Sequence, residues 1–391
     1  MARGSITQRG DSYRVRVDYY DLNGRRRQVS GTARSFRKAE LLSTKLQAEV
    51  DRGTFLKPTK ITAEAFLNQW LEGCVKSTVS DKTLELYSYL SKKHLVPALG
   101  NIPMANLRPQ HIQALYSDKL KQGLAPRTVQ LLHVCLHKAL SNAIKTGLLK
   151  YNPMEGVESP KVERHAMKTL TEDNIALFLD KARETEYYAL FFTYLFTGLR
   201  RGEALSLRWS DIDLLGAQLS VNRTMQFLNN EITFKQPKTA SSCRQIALSP
   251  NTCVVLKVHR EEQDAARKDR KDRGFPPAVD NDLVFCHADG TPYLPRTISH
   301  CWFKLTHRCG LDGIRLHDAR HSHATLMLKN GTSPKVIQER LGHSSFSTTM
   351  NLYAHVSPGM QKQAVDKFDQ MMVANLTRIN CGEPSVNKGN D

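Results

Sequence analysis

Apolar and polar residues alternate through SYRVRVDYY, residues 12–20. Tyr13, Val15, Val17 and Tyr19 fall on one face, with Arg14, Arg16 and Asp18 on the other, which is the period of a half-buried strand. DLNG (21–24) signals a turn, and RRRQVSGTA (25–33) can return as a partner strand. In SFRKAELLSTKLQAEV (35–50) the period lengthens. Phe36, Ala39, Leu42, Leu46 and Val50 recur at helical spacing behind Ser35, a plausible N-cap. The pattern predicts a small three-stranded sheet with one helix packed on it.

LKPTKIT (56–62) breaks the pattern as a linker. Residues 62–155 then read as all-helical, through AEAFLNQWLEG, DKTLELYSYLSKKHL, RPQHIQALYSDKLKQG and APRTVQLLHVCLHKALSNAIKTG. Pro109 and Pro126 stand near helix starts, and Gly123 and Gly147 near helix ends. YNPMEGVESPKVERHAMKTL (151–170), with its prolines and glycine, marks a second boundary. Beyond it the pattern is mixed. TEDNIALFLDKARETEYYALFFTYLFTGLRRGEALSLRW is helical with a Thr-Gly break, and AQLSV and RQIALSP read as strands around FKQPKTASSC. Helices then continue to about residue 373, before a polar end, NCGEPSVNKGND, that reads as disordered. The expected fold is multidomain α+β. A sheet-and-helix domain covers 1–56 and a helical domain 62–155. A mainly helical domain with a small antiparallel sheet covers 165–375, and a tail 376–391.

Charge narrows the function. The chain carries 56 Lys+Arg against 38 Asp+Glu, a net +18, so a polyanionic partner is expected, nucleic acid first. Residues 1–60 alone hold 14 Lys+Arg and 6 Asp+Glu, a net +8. Arg14 and Arg16, next to Arg25, Arg26 and Arg27 and without local acidic partners, favour DNA contact over a merely solvated face. No apolar run reaches the roughly 18 residues of a spanning helix, so no membrane association is expected. The first residues lack the apolar core of a secretory signal, which points to the cytoplasm. Eight cysteines contain no C-x-x-C pair, which disfavours a zinc ribbon or a disulfide framework.

Candidate chemistry gathers in four stretches. LHDARHSHATLMLKNG (316–331) contains HDARH, a near miss of the zinc-binding H-E-x-x-H pattern. The arginine between the two histidines repels a cation, so no metal is expected. On a helix His317 and Arg320 instead face the same way, and an arginine fork suits phosphate. TGLRRGEALSLRW puts Arg200 just after a glycine break, with Glu203 placed to hold it. PKTASS offers Lys238, with Lys235 three residues away as a competitor, and ERLGHSSFSTTMNLYAH offers His343 and Tyr353. Two arginines, two histidines, a lysine and a tyrosine are what a metal-free attack on a phosphodiester requires. A tyrosine hydroxyl of pKa about 10 is only about one part in a thousand ionised at neutral pH, a deficit of roughly 4 kcal/mol that a base or field must offset. Charge spreading over the phosphoryl oxygens calls for fixed cations, and the leaving 5′ oxygen needs a proton. No G-x-S-x-G elbow, phosphate-binding G-x-x-x-x-G-K loop or carboxylate cluster for magnesium competes.

These four stretches, in order and spacing, resemble the tyrosine recombinases of the phage-integrase family, and the likeness runs along nearly the whole chain. It implies a fold of the DNA breaking-rejoining type, with Arg200 and Arg320 as phosphate clamps and Lys238 as general acid. His317 would be base or phosphate contact, His343 the second histidine and Tyr353 the nucleophile, with Glu203 in support and no cofactor. VPALGNIPMANLRPQHI resembles the family's helical, SAM-like core-binding domain. The first 55 or so residues resemble the AP2-like domain that binds arm sites in integrases of Gram-positive phages and conjugative transposons. The resemblance further implies integration and excision of a phage or mobile element through a 3′-phosphotyrosyl link. It implies double-stranded attachment sites with core and arm segments, a homotetramer on DNA, and an excisionase and a host DNA-bending protein as partners. A stripe of Met360, Ala364, Val365, Phe368, Met371 and Met372 would dock on a neighbouring protomer or fold back on its own domain. His321 and His323 read as packing or surface residues. A type IB topoisomerase shares the chemistry, and a non-catalytic DNA-binding regulator could share the fold.

Overall fold

The computed structural model describes residues 4–20, 25–51, 60–163, 168–236, 243–343, 346, 365–366, 368–370 and 372–373. The chain divides into two compact units, Met1–Arg164 and His165–Asp391.

In the first unit, β1 (Gly4–Arg9), β2 (Ser12–Tyr20) and β3 (Arg26–Ala33) form an antiparallel sheet in the order β1-β2-β3. The alternation of β2 is realised: Val15 and Val17 are fully buried with Ala39 of α1 (Phe36–Asp51), while Arg14 and Arg16 face away. Leu42, Leu46 and Val50 pack partly against this centre. Phe36 departs from the expected stripe, because it sits at the first turn and remains exposed, its ring set edge-on to Tyr13. Ser35 caps the helix through its Oγ, which accepts from the Lys38 amide.

The helical part follows the proline and glycine punctuation. It comprises α2 (Ala63–Trp70), α3 (Lys76–Thr78), α4 (Asp81–Leu90), α5 (Val96–Leu99), α6 (Pro109–Lys121) and α7 (Pro126–Lys145). Pro109 and Pro126 open their helices, where a missing N–H costs nothing, and Gly123 and Gly147 leave them at positive φ. Two wide π-helical turns, Leu71–Val75 and Ser91–Leu95, were not expected. The second ends two residues before Pro97, whose ring cannot sit against a tight α-helical carbonyl four residues back, so a wider turn there relieves the clash. Trp70 stacks on Tyr87 in the core beneath.

The second unit is built around α9 (Tyr188–Thr197), whose residues are nearly all buried. It packs with α8 (Glu172–Ala182), α11 (Pro250–Asp272), α12 (Pro295–Arg308) and α13 (Leu316–Lys329), and Phe178, Phe191 and Trp302 form one aromatic cluster. α10 (Arg201–Ala204) follows the Thr-Gly break, and α14 (Pro334–Leu341) packs on α13. The two expected strands pair: β5 (Gln218–Val221) lies between β4 (Ile212–Asp213) and β8 (Arg244–Ala247), with Leu219 opposite Ile246. A separate hairpin of β6 (Thr224–Leu228) and β7 (Glu231–Lys235) was missed. Its turn residues Asn229 and Asn230 both have positive φ, and an Asn-Asn pair between alternating residues was the available signal. Residues 365–366, 368–370 and 372–373 are helical, with Val365, Phe368 and Met372 exposed. Met360, Ala364 and Met371, and the tail 376–391, lie outside the described residues.

Gly198 ends α9 in the left-handed region at φ 66°, and a Cβ there would stand 2.5 Å from Leu341 Cδ2 and 2.8 Å from His323 Cδ2. Gly198→Ala is therefore expected to destabilise this unit by about 2 kcal/mol, combining backbone strain with overpacking. That corresponds to a fall in Tm of about 4–8 °C by calorimetry. An unchanged transition would contradict the requirement for glycine.

Candidate active site

Arg200 is the N-cap of α10, held in extended backbone by the Gly198 turn before it. Its amide donates to Glu203 Oε2 (2.9 Å) and its Nη1 to Glu203 Oε1 (2.7 Å), as expected from the three-residue spacing. Its Nη2 reaches across the unit to the carbonyl of Gly342 (2.6 Å), just past the end of α14. Arg320, on α13, is 1% exposed. Its Nη1 donates to the Gly198 carbonyl (2.6 Å), and its Nη2 donates to the carbonyl of Leu341. The two arginines are thus brought together at one helix end, although 120 positions separate them in sequence.

A third arginine completes the set. Arg244, at the start of β8, donates from Nη2 to Glu203 Oε2 (2.9 Å), from Nη1 to Glu203 Oε1 (3.2 Å) and from Nε to the carbonyl of Arg340 (2.6 Å). Sequence reasoning missed it. The residue stands inside the quoted strand RQIALSP, where its type gives no sign that it turns inward. Arg340 was missed as well: it donates to the carbonyls of Ala247 and Phe196 (3.0 Å each) and to His323 Nε2 (3.1 Å). His323 therefore has the structural role expected of it, as a neutral acceptor, and burial holds its imidazole down at about 4.

Glu203 is buried, which alone would raise its pKa, but the bonds and charges of Arg244 and Arg200 outweigh burial and bring it down to about 2. Two guanidinium groups bond this one carboxylate and that of Arg320 lies near, an excess of two positive charges among the four side chains. The consequence is visible in their neighbours. Arg320 is lowered to about 9, first by burial and then by Arg200, and it still carries its charge at neutral pH. His343, 9% exposed just beyond Gly342, is lowered to about 4 by burial, then by Arg320 and Arg200. His317 is exposed at the surface but lies edge-to-face against His321, ring centroids 4.7 Å apart. The protein around its ring, then His321 and Arg320, hold its imidazole low, so it too is neutral. Beside it opens a cleft of about 540 Å³, lined by Tyr194, Arg201, Ser299, Trp302 and Arg315.

Arg200, Glu203, Arg320 and His343 thus form one assembly with His317 at its edge. Lys238 and Tyr353 lie outside the described residues. Lys235, the competitor of Lys238, ends β7 of the β6–β7 hairpin, whereas Lys238 falls in the connection to β8. Among the described residues no group of three or more His, Cys, Asp or Glu side chains could hold a metal ion. No described helix is long and apolar enough to cross a membrane.

At the N-terminal sheet the expected arginine face needs correction. Arg14 lies between Thr7 and Thr32, and Arg16 between Ser5 and Ser30, on the face away from α1. Arg26 shares that face but is paired with Asp18 at 2.6 Å, so a local acidic partner does exist. Arg27 stands opposite Tyr19 and so falls on the helix side of the sheet. Arg25 lies just before β3. The alternation of a strand splits a run of three arginines between two faces, which a count of charge overlooks.

The phage integrase family matches residues 168–360, and the phage integrase N-terminal SAM-like domain matches residues 62–120. Over 367 residues the chain is 26% identical to the ICEBs1 integrase of Bacillus subtilis (strain 168), covering 92% of this chain and 97% of that protein. It is 25% identical over 381 residues to a "Tyrosine recombinase XerC-like" protein of Caldanaerobacter subterraneus subsp. tengcongensis, covering 92% and 96%. In structure it is similar to the Tn1549 transposon integrase in complex with transposon right end DNA, with TM-score 0.65 and 18% identity over 79% of this chain and 99% of that one. A lambda integrase dimer bound to a COC′ core site matches with TM-score 0.58 and 18% identity, over 89% and 93%. At these identities the structural likeness is one of fold.

The depressed Glu203 has a consequence for acid stability. Its carboxylate is favoured in the folded state, so its contribution is complete above about pH 4.5 and is lost as pH falls toward 2. Glu203→Gln leaves two guanidinium groups without their counter-charge and is expected to cost about 3–5 kcal/mol at neutral pH. The gap from the parent should narrow through that acid window, as read from denaturant midpoints against pH. A gap of constant size would show that Glu203 is not the ionised partner of these arginines.

Proposed function

The chain belongs to the phage integrase family of tyrosine recombinases, which break and rejoin DNA strands at specific sites, and we propose that Tyr353 performs the cut between two clamping arginines. The observation that carries this reading is the joint fixing of Arg200 and Arg320 at the end of α14. Their excess positive charge, only partly met by Glu203, is what a phosphodiester would neutralise.

The Tyr353 hydroxyl oxygen attacks the scissile phosphorus and its proton passes to a base, for which neutral His317 is suited. The bond from phosphorus to the 5′ oxygen breaks, and Lys238 gives that oxygen its proton. A 3′-phosphotyrosyl link and a free 5′ hydroxyl result. Attack by a 5′ hydroxyl from another strand reverses each transfer, so the bond energy is retained and no nucleotide cofactor is consumed. Negative charge spread over the phosphoryl oxygens in both steps is met by Arg200 and Arg320, each worth on the order of 10²–10³ in rate by analogy with oxyanion donors. Neutral His343 can add a hydrogen bond without adding to the repulsion among the cations.

The substrate is double-stranded DNA carrying the attachment sites of a phage or other mobile element. The helical domain, 62–155, binds the core site, and the N-terminal sheet, 1–56, binds arm sites through the face that bears Arg14 and Arg16. The working form is a homotetramer on two paired sites, with the 360–372 segment of each copy docked on its neighbour. An excisionase and a host DNA-bending protein set direction, and the reaction takes place in the cytoplasm of a bacterial host.

Tyr353→Phe is expected to abolish the covalent protein–DNA adduct on a nicked suicide substrate while leaving DNA binding near its original strength, since only the attacking oxygen is lost. An adduct retained on a denaturing gel would reject Tyr353 as nucleophile. Relaxation of supercoiled DNA lacking any attachment site would favour the topoisomerase reading.

For the general acid, Lys238→Ala should slow cleavage of the normal substrate and recover with a 5′-thio leaving group, which needs no proton. Recovery in Lys235→Ala instead would reassign the acid.

A further inference from the structure

We propose that Arg244 is a positioning residue for the cleavage reaction, setting Glu203 and the carboxyl end of α14 so that Arg200 and Arg320 meet the phosphate. The inference rests on the reading of those two arginines as phosphate clamps.

Arg244 is placed for that task. Its side chain is 6% exposed, so it is sheltered from an incoming DNA backbone. Its fork spans both oxygens of Glu203, while the same two oxygens accept from the Arg200 guanidinium and the Arg200 amide. The carboxylate is thus shared evenly between a buried arginine and a partly exposed one. Without Arg244, Glu203 would turn its whole charge on Arg200 and compete with substrate for that guanidinium. The third bond of Arg244, to the Arg340 carbonyl, fixes the carbonyl that directly precedes those holding Arg320 and Arg200. Arg340 answers from its own side chain by donating to Ala247 at the other end of β8. β8 and α14 are therefore clasped in both directions. Arg244 also anchors the chain six positions after Lys238, at the end of the connection that carries the candidate acid.

An arginine is needed because the bonds to Glu203 and to the Arg340 carbonyl leave one planar group in fixed directions. A lysine ammonium could keep the charge, but it cannot span the carboxylate and also reach the Arg340 carbonyl. A small displacement of the clamps then suffices, because misplacement of catalytic groups by about 1 Å can cost about a hundredfold in rate.

The test is single-turnover cleavage by the full chain on nicked suicide substrates. One substrate has a normal scissile phosphodiester, and the other carries a neutral methylphosphonate at that position. A neutral centre needs less from cationic clamps, so a clamp defect appears as slow cleavage of the diester with the methylphosphonate largely spared. Arg244→Lys should show this selective loss, about a hundredfold on the diester, with DNA affinity and melting temperature near those of the parent. It should also be non-additive with Glu203→Gln, since both act on the same clamp. Arg244→Gln, which keeps one amide donor toward Glu203, provides a second variant should the lysine fold poorly, and it should show the same selectivity. Arg200→Lys is the control. If it is selective while both Arg244 variants slow the two substrates equally, Arg244 merely stabilises the fold and the proposal is overturned. If Arg200→Lys itself slows both substrates equally, the clamp reading fails and takes this proposal with it.

Discussion

The carboxyl end of α14 is the point on which the site depends. A helix leaves its last carbonyls without partners inside the helix, and these carbonyls carry the negative end of its dipole. Here three in succession, those of Arg340, Leu341 and Gly342, each accept from an arginine of a different element. Arg244 comes from β8, Arg320 from α13 and Arg200 from the start of α10. Gly342 turns the chain at φ 64°, a conformation that favours glycine, and His343 follows immediately. One turn of backbone thus gathers groups from four stretches of the sequence. The long arginine side chains are ordered by the fold itself, so their loss of freedom, up to about 2 kcal/mol each, is not charged to the binding of substrate.

The same arrangement is electrostatically unfinished. Glu203 offsets one of three buried or half-buried positive charges, and burial, together with the repulsion that remains, lowers both Arg320 and His343. Such a site lowers the stability of the folded chain and is ready for an anion before one arrives. A bound phosphodiester would add negative charge beside the histidines, so its arrival would make protonation of His317 and His343 easier. Proton transfer and phosphate binding are therefore coupled by the field, whichever imidazole makes the closer contact.

Much of this was legible in the sequence, for identifiable reasons. Period-two alternation revealed β2, which has one buried face, and AQLSV and RQIALSP, read as strands, pair as β5 and β8. Proline at helix starts and glycine at helix ends located α6 and α7 closely. Arg200 with Glu203 was legible because the pair lies within one helical turn. What escaped was long-range. Nothing in the order of residues says that the arginine of RQIALSP turns inward toward a glutamate 41 positions earlier. Nor does it show that Arg340 and His323 bond to each other, or that Asp18 claims Arg26 from the sheet's arginine face. An arginine reads as a surface charge until the partner that permits its burial is in place.

The clamp has a limit that bears on the rest of the molecule. In the proposed role two guanidinium groups recognise a phosphodiester, and every nucleotide step has one, so the assembly at α14 would speed strand cleavage without choosing where it happens. The large positive charge of the chain has the same limitation, because phosphate neutralisation gives affinity regardless of sequence. Site choice must therefore come from surfaces that meet base edges or sense DNA shape. The first unit offers one of suitable chemistry. On the face of its sheet away from α1 Arg14 is flanked by Thr7 and Thr32, and Arg16 by Ser5 and Ser30, placing guanidinium donors beside short hydroxyls that can both donate and accept. Asp18, by engaging Arg26 and Gln28, orients two further polar side chains on that face. Cutting and choosing thus call for different physics, a buried excess of charge for one and a hydrogen-bonding surface open to base edges for the other, and in the function proposed above they fall to separate compact units.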